Sequence, residues 1–148
     1  MKKFFIVILL IILSAGCATT QLSPLQMRSI QSRELEGTFD HAFKATLQVF
    51  QDYGYVVKNT DYEAGVIQGE TGIKQNFWGT MSWFEMTATI EQFGENIVKE
   101  RLSLIKKKKS SSQYGTHEDS SMVDDVELFK KIYDDIQKEI FVRKNLNK

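Results

Sequence analysis

The sequence predicts a two-layer α+β domain in the order β-α-β-β-β-β-α, with an antiparallel sheet and two helices packed on one face. Two segments carry apolar residues at helical spacing, and two others alternate apolar and polar residues as strands do. Short turn sequences join these segments. Alternation indicates that one sheet face is solvated and the other covered, and the two apolar helices supply that cover.

Residues 27–35 alternate weakly and predict a first strand. Residues 38–53 predict the first helix, which Thr38 or Asp40 can cap and which Gly54 can end in a left-handed conformation. Its apolar stripe consists of Phe39, Phe43, Leu47 and Phe50.

Two strands are predicted next, over residues 55–60 and 65–71, and the short connection between them is typical of a hairpin. Residues 83–93 and 97–105 predict a second antiparallel pair around a turn at residues 94–96. The inward residues of this pair are Phe84, Met86, Ala88, Ile90, Val98, Leu102 and Leu104.

Glu100 shares that inward face, and we expect it near the sheet edge. Residues 106–122 are polar and rich in serine, which predicts a loop. Residues 123–142 predict the last helix, with acidic residues at its positive N-terminal end. Its apolar stripe consists of Val126, Phe129, Tyr133, Ile136 and Ile140.

The first residues have the three parts of a secretory signal peptide. Lys2 and Lys3 are followed by an apolar run over residues 4–13 and then by small residues. The run is shorter than the roughly 20 apolar residues that a membrane-spanning helix needs. We therefore expect removal of residues 1–16, which leaves Cys17, the only cysteine, at the new amino terminus.

Leu13, Ser14, Ala15, Gly16 and Cys17 together resemble the lipobox of bacterial lipoproteins. The resemblance implies a diacylglycerol on the Cys17 thiol and an acyl chain on its amino group, and we expect no other cofactor. Ala18 follows the cysteine, at the position where an aspartate retains many lipoproteins in the inner membrane, and its presence implies the outer membrane. We expect the domain to face the periplasm. The alternative is that Cys17 is a small apolar residue in a plain signal peptide or in a retained anchor.

The predicted organisation is a signal peptide over residues 1–16, an acylated start and polar tether over residues 17–26, and one domain over residues 27–148. Residues 33–35, 47–55, 61–67 and 128–141 resemble a family of small uncharacterised bacterial lipoproteins. The matching positions are packing residues, so this resemblance implies no chemistry. At fold level, the element order also resembles the repeated domains of the lipoprotein C subunit of the outer-membrane barrel-assembly machinery.

Composition excludes several classes of protein. The chain has 148 residues, of which 42% are hydrophobic, and this content is too high for an intrinsically disordered protein. Its 19 basic and 19 acidic residues balance, whereas a protein that binds nucleic acid usually has an excess of basic residues. Neither a zinc-ligand spacing, nor a phosphate loop, nor a nucleophile elbow is present. His41 is expected to be an ordinary helical residue. His117, with Glu118 and Asp119, is expected in a solvated loop, although it could also touch a divalent ion. We predict neither a metal site nor an enzyme.

Residues 73–84 concentrate aromatic side chains in the connection between two strands. Phe77 and Trp78, beside Gly79, are the better candidates for exposure, while Phe84 points inward on its strand. Trp83 lies between them in the sequence. The aromatic rings either pack on the domain itself or form a contact surface, because tryptophan favours interfaces and membrane boundaries.

The strongest local charge feature is a run of four lysines, Lys106, Lys107, Lys108 and Lys109. Its two interpretations are contact with anionic headgroups or glycolipid phosphates, and protection of a strand end from edge pairing.

Together these features predict a non-catalytic accessory or interaction module of a membrane-associated assembly, held by its lipid anchor and contacting another envelope protein. The candidate contact residues are Phe77, Trp78, Trp83 and the four lysines. The alternative function is a periplasmic carrier that binds a lipid or a small apolar ligand between the sheet and the helices. An enzyme would instead bring together polar residues from several elements.

Overall fold

The strands of the domain form one antiparallel sheet, and helices pack on one of its faces. The computed structural model describes residues 22–113 and 115–146. Within them the elements are α1 (Pro24–Gln31), β1 (Ser32–Glu36), α2 (Phe39–Asp52), β2 (Tyr55–Asp61), β3 (Val66–Thr71), β4 (Lys74–Gln75), β5 (Met81–Gly94), β6 (Ile97–Ser112), β7 (Gly115–Met122) and α3 (Val126–Leu146). The predicted α+β class and antiparallel sheet are confirmed. The predictions for the signal peptide and for Cys17 fall outside the described residues.

The sheet has two parts. In the core sheet the strand order is β1-β6-β5-β3-β2. β5 and β6 continue beyond it, where β4 pairs with β5 and β7 pairs with β6. We call this second part the strand extension: β4, the turn after it over residues 76–80, residues 81–84 of β5, residues 105–112 of β6, and β7. The two parts share the same pair of long strands.

The core lies between the core sheet and the helices α2 and α3. Alternate residues of β5 and β6 face the helices and are almost completely buried, as predicted: Met86, Ala88, Ile90, Val98, Leu102 and Leu104. Phe43 and Phe50 come from α2, and Phe129, Tyr133, Ile136 and Ile140 come from α3. Burial of these side chains is the main favourable term in folding.

Both predicted ends of α2 are confirmed. The Thr38 side chain accepts a hydrogen bond from the His41 backbone N–H at 3.4 Å, which satisfies one of the free donors of the first turn. After the helix, Gly54 has φ +79°, a conformation that side chains with a Cβ rarely adopt.

The predicted first strand over residues 27–35 is partly wrong. α1 occupies residues 24–31, so it also takes the end of the predicted tether, and β1 starts only at Ser32. Ser23 and Gln26 form a capping box, and Pro24 stands in the first turn, where its missing N–H has no cost. These signals for the start of a helix outweigh the weak alternation of apolar and polar residues that predicted a strand, and both can be seen in the sequence.

The predicted loop over residues 106–122 is also wrong, because most of it is strand. β6 runs to Ser112 and β7 returns antiparallel to it, in a register that sets Lys107 opposite Ser120. All eight residues of β7 are exposed. A strand that buries neither face shows no apolar alternation, so the sequence pattern fails here although the backbone is fully extended.

Tyr133 fills a gap in the hydrogen-bond ladder of β6. β1 pairs with β6 as far as Arg101, and β7 joins the same edge only at Ile105. In the gap, the Tyr133 hydroxyl accepts from the Leu102 N–H at 3.1 Å and donates to the Gln31 carbonyl at 2.5 Å. One buried hydroxyl thus joins α3, β6 and the end of α1.

Candidate interaction surface

The turn between β4 and β5 is held by its own hydrogen bonds. Asn76 Oδ1 accepts from the Trp78 N–H at 3.1 Å and from the Thr80 N–H at 2.9 Å. The Asn76 N–H donates to the Thr80 carbonyl, and the Gly79 N–H donates to the Asn76 carbonyl, both at 3.0 Å. Gly79 has φ +78°, which suits glycine. The turn therefore has a defined shape that its own hydrogen bonds maintain.

Two aromatic side chains project from this turn. Phe77 is 95% exposed and Trp78 is 84% exposed, so the two better candidates for exposure do face solvent. Their ring centroids are 5.6 Å apart and the rings are nearly perpendicular, an arrangement that aromatic pairs favour. Neighbouring apolar side chains exposed to this extent commonly mark an interaction site. We call this pair the aromatic turn.

Trp83 lies on β5 and is not part of the aromatic turn. It is half-buried on the sheet face away from the helices, opposite Lys107 on β6. Its indole N–H donates to Glu85 Oε1 at 3.2 Å, and Lys107 Nζ lies 3.8 Å from the other oxygen of the same carboxylate. Trp83 is thus engaged within the sheet surface, although it stands close to Trp78 in sequence.

Phe84 points to the helix side and packs against the core, as predicted. Lys106 is its neighbour on β6, and the Lys106 ammonium lies 5.7 Å from the centroid of the Phe84 ring. This distance allows a cation–π attraction.

The four lysines lie inside β6, paired with β5 on one side and β7 on the other. The interpretation that they protect a strand end is therefore wrong, because β6 continues to Ser112. Successive residues of a strand face opposite sides, so Lys106 and Lys108 lie on the helix side of the sheet and Lys107 and Lys109 on the other. Acidic residues of β7 stand beside two of them, Asp119 opposite Lys108 and Glu118 opposite Lys109. Contact of the lysines with anionic headgroups stays a prediction.

Glu100 is fully buried, and its expected position near the sheet edge is wrong. It pairs with Arg33 on β1 and with Ile90 on β5, so it lies on an interior strand. Burial raises the pKa of the Glu100 carboxyl to about 8. Sequence patterning identified its inward direction but not its neighbours.

Thr46 is the hydrogen-bond partner of this buried carboxyl. Its hydroxyl lies 3.0 Å from Glu100 Oε1 and 2.8 Å from the Ala42 carbonyl. Because a hydroxyl has one proton, a protonated Glu100 satisfies both contacts, donating to Thr46 while Thr46 donates to Ala42. The geometry thus agrees with a neutral acid.

The histidines are not brought together with other ligands. His41 is half-buried at the start of α2, and His117 is exposed on β7 rather than in the predicted loop. Among the described residues, no group of three His, Cys, Asp or Glu side chains could hold a metal ion. None of the helices in the described ranges is both long and apolar enough to cross a membrane.

A groove of about 660 Å³ lies between β1 and the last turns of α3. It is separate from the space between the sheet and the helices, where the carrier alternative places its ligand and where Phe50, Met86 and Ile136 belong to the packed core. Nothing in the sequence patterning pointed to this groove, because residues far apart in the chain form it.

No protein-family model matches the chain, and no curated protein matches it.

Proposed function

We propose that this protein is a lipid-anchored envelope lipoprotein of the outer membrane, facing the periplasm, and that its domain is a non-catalytic interaction module of a membrane-associated assembly. The observation that carries the proposal is the aromatic turn, which presents Phe77 and Trp78 to solvent on a hydrogen-bonded backbone. The resemblance of residues 13–17 to a lipobox supports the anchor.

The shape of the aromatic turn favours binding. Ordering a flexible loop reduces affinity, and the hydrogen bonds of Asn76 already hold this turn in place. Tryptophan is enriched among the few residues that contribute most of the energy of a protein interface. The proposed contact therefore places the Trp78 ring in an apolar pocket of another envelope protein, with Phe77 packed at its edge.

The lysines of β6 contribute charge close to the aromatic turn. Lys109 stands opposite Met81 and Lys108 opposite Ser82, just after the turn. Charges at the rim of an interface increase the rate of association more than the final affinity. The lipid anchor adds a further effect, because confinement at a membrane raises the effective concentration of a neighbour.

The proposal is tested by photocrosslinking in living cells, with the crosslinking residue at position 78. A matched control has the same residue at position 63, in the exposed turn between β2 and β3. A discrete protein adduct at position 78 and none at position 63 is the expected result. Equal labelling at both positions, or none at 78 in correctly localised protein, would contradict an interaction at the aromatic turn. A small molecule bound to the purified protein in native mass spectrometry would then favour the carrier.

The anchor is tested separately by the substitution Cys17→Ser. Cells fed an alkyne-tagged palmitate are expected to label the unmodified chain and not the variant, because the thioether and the acylated amino terminus both depend on Cys17. Labelling that persists in the variant would exclude Cys17 as the site of lipidation.

A further inference from the structure

The free edge of β1 forms one wall of the groove described above. β1 is an end strand of the core sheet and pairs with β6 on one side only. On the other side, α3 turns one face toward it. The groove is lined by β1 residues 33–36 and, on α3, by Asp134, Gln137, Lys138, Phe141 and Val142.

Gln137 already pairs with this edge as a neighbouring strand would. Its Oε1 accepts from the Glu36 N–H at 2.9 Å, and its Nε2 donates to the Glu36 carbonyl at 3.1 Å. One residue of an added antiparallel strand makes the same two bonds, with its own carbonyl and N–H. Because backbone groups alternate in direction along a strand, Glu34, two residues earlier, offers its N–H and carbonyl to the same groove.

The groove also has an apolar wall. Phe141 is 66% exposed and Val142 is 45% exposed, both on the side of α3 that lines the groove. Leu35, by contrast, is buried and belongs to the core. A side chain that entered from an added strand would therefore meet Phe141 and Val142.

The opposite edge of the sheet is built differently. β2 carries an irregularity in register between Val57 and Asn59, and Lys58 stands at that point. Bulges and lysines are devices that prevent another strand from pairing with an exposed edge. β1 has neither, since its five residues pair with β6 in unbroken register.

We infer that the groove binds an extended peptide segment, which displaces the Gln137 side chain from Glu36, adds to β1 as a further strand, and alternates apolar and basic side chains. The apolar side chains would face Phe141 and Val142, and the basic ones would lie beside Glu34 and Glu36 on the other sheet face. Both glutamates are exposed, and neither forms an ion pair in the described part of the chain. This inference does not depend on the aromatic turn.

Charge also disfavours a second copy of the chain as the occupant. Two β1 strands paired antiparallel would bring Glu34 and Glu36 of each copy next to those of the other, and like charges on adjacent strands repel. The partner we infer is therefore a different, basic segment.

The test measures fluorescence anisotropy of a labelled peptide of about seven residues that alternates lysine and valine, titrated with the full-length chain in detergent. The comparison peptide has the same sequence with N-methyl groups on alternate amides, which removes its hydrogen-bond donors. Saturable binding of the first peptide, with binding of the second weaker by about ten-fold or more, is expected if backbone pairing contributes.

Two variants locate the binding. Phe141→Ala is expected to weaken it by about five-fold or more, while Val56→Ala, a matched apolar truncation on the β2 edge, changes it by less than about two-fold. The inference would be overturned if the first peptide did not bind saturably, or if the N-methylated peptide bound with equal affinity. It would also be overturned if both variants lost the same amount of affinity. A dimer detected by light scattering would also overturn the inference if Phe141→Ala dissociated it, because the groove would then bind a second copy of the chain.

Discussion

β5 and β6 each pass through two environments, the core sheet and the strand extension. In the core sheet, helices cover one face, and the inward residues from Met86 to Ile90 and from Val98 to Leu104 are buried. In the strand extension no residue of β7 is buried, and the lysines of β6 face both sides. The same backbone pairing therefore supports a packed layer in one half and a solvated ribbon in the other.

The difference separates stability from recognition. Residues of the core sheet contribute apolar burial, so changing them alters the free energy of unfolding. Residues of the strand extension contribute mainly backbone hydrogen bonds and cross-strand pairs. Changes to their side chains are expected to alter binding far more than stability, and the following substitutions test that division.

The largest effect is expected from Glu100→Gln. The pKa of this carboxyl is raised to about 8 in the folded protein, above the ordinary 4.5, so the unfolded chain releases its proton at lower pH. The stability of the unmodified chain therefore falls as pH rises from 4.5 to 8, by about 1.4 kcal/mol per pH unit and on the order of 5 kcal/mol in all. Glu100→Gln removes this loss and is expected to be the more stable protein at pH 8.

Urea unfolding of both proteins at a series of pH values measures the effect. The difference in unfolding free energy should grow from pH 5 to pH 8 and then level off. Glu118→Gln, at an exposed position of β7, is the control and should leave the pH dependence unchanged. A constant difference between Glu100→Gln and the unmodified chain at all pH values would show that Glu100 is ionised in the folded state.

A pair of glycines allows the two regions to be compared with the same substitution. Gly65 has φ +66° and Gly79 has φ +78°, so alanine at either position meets about 1–2 kcal/mol of backbone strain. At Gly65 a Cβ would also overlap the Ile90 carbonyl oxygen, whereas at Gly79 the nearest atom lies 3.9 Å away. We expect Gly65→Ala to lose roughly 3 kcal/mol or more, and Gly79→Ala about 1 kcal/mol. Similar thermal shifts for both variants would contradict the proposed difference in packing.

Tyr133→Phe tests the hydroxyl that fills the gap in β6. The substitution leaves the Leu102 N–H and the Gln31 carbonyl without their buried partner, which is expected to cost about 1–3 kcal/mol. Hydrogen exchange at the Leu102 amide should become faster than at the amides of its ladder-bonded neighbours. Unchanged exchange there would mean that the hydroxyl does not hold the gap closed.

The smallest effect on stability is expected from Trp78→Ala. Because this side chain is 84% exposed, its removal should change the free energy of unfolding by less than about 0.5 kcal/mol. The affinity of the variant for the partner identified by crosslinking at position 78 should nevertheless fall steeply. A large loss of thermal stability would show instead that the ring packs on the domain.

Sequence reasoning succeeded where local pattern and burial agree. The stripe of α2, the cap at Thr38 and the inward residues of β5 were all predicted, because one face of each element meets the core. It failed in β7, where both faces are exposed and the residues therefore show no apolar alternation. It also failed in α1, where a weak alternation of residues predicted a strand but a short capped helix forms. Phe77 and Trp78 were the better candidates for exposure because they stand beside Gly79, whereas the hydrogen bond between Trp83 and Glu85 on the sheet surface was not predicted.

The sequence by itself determined the fold class, the two long helices and the residues that face the core, because periodicity records which side of each element is hidden from water. Only the tertiary structure decided that Glu100 is buried in the middle of the sheet, that Tyr133 completes the ladder of β6, and that β1 and α3 enclose a groove. Each of these features joins residues that lie far apart in the chain. Their contacts depend on strand order and register, which a period of two or of 3.6 residues does not encode.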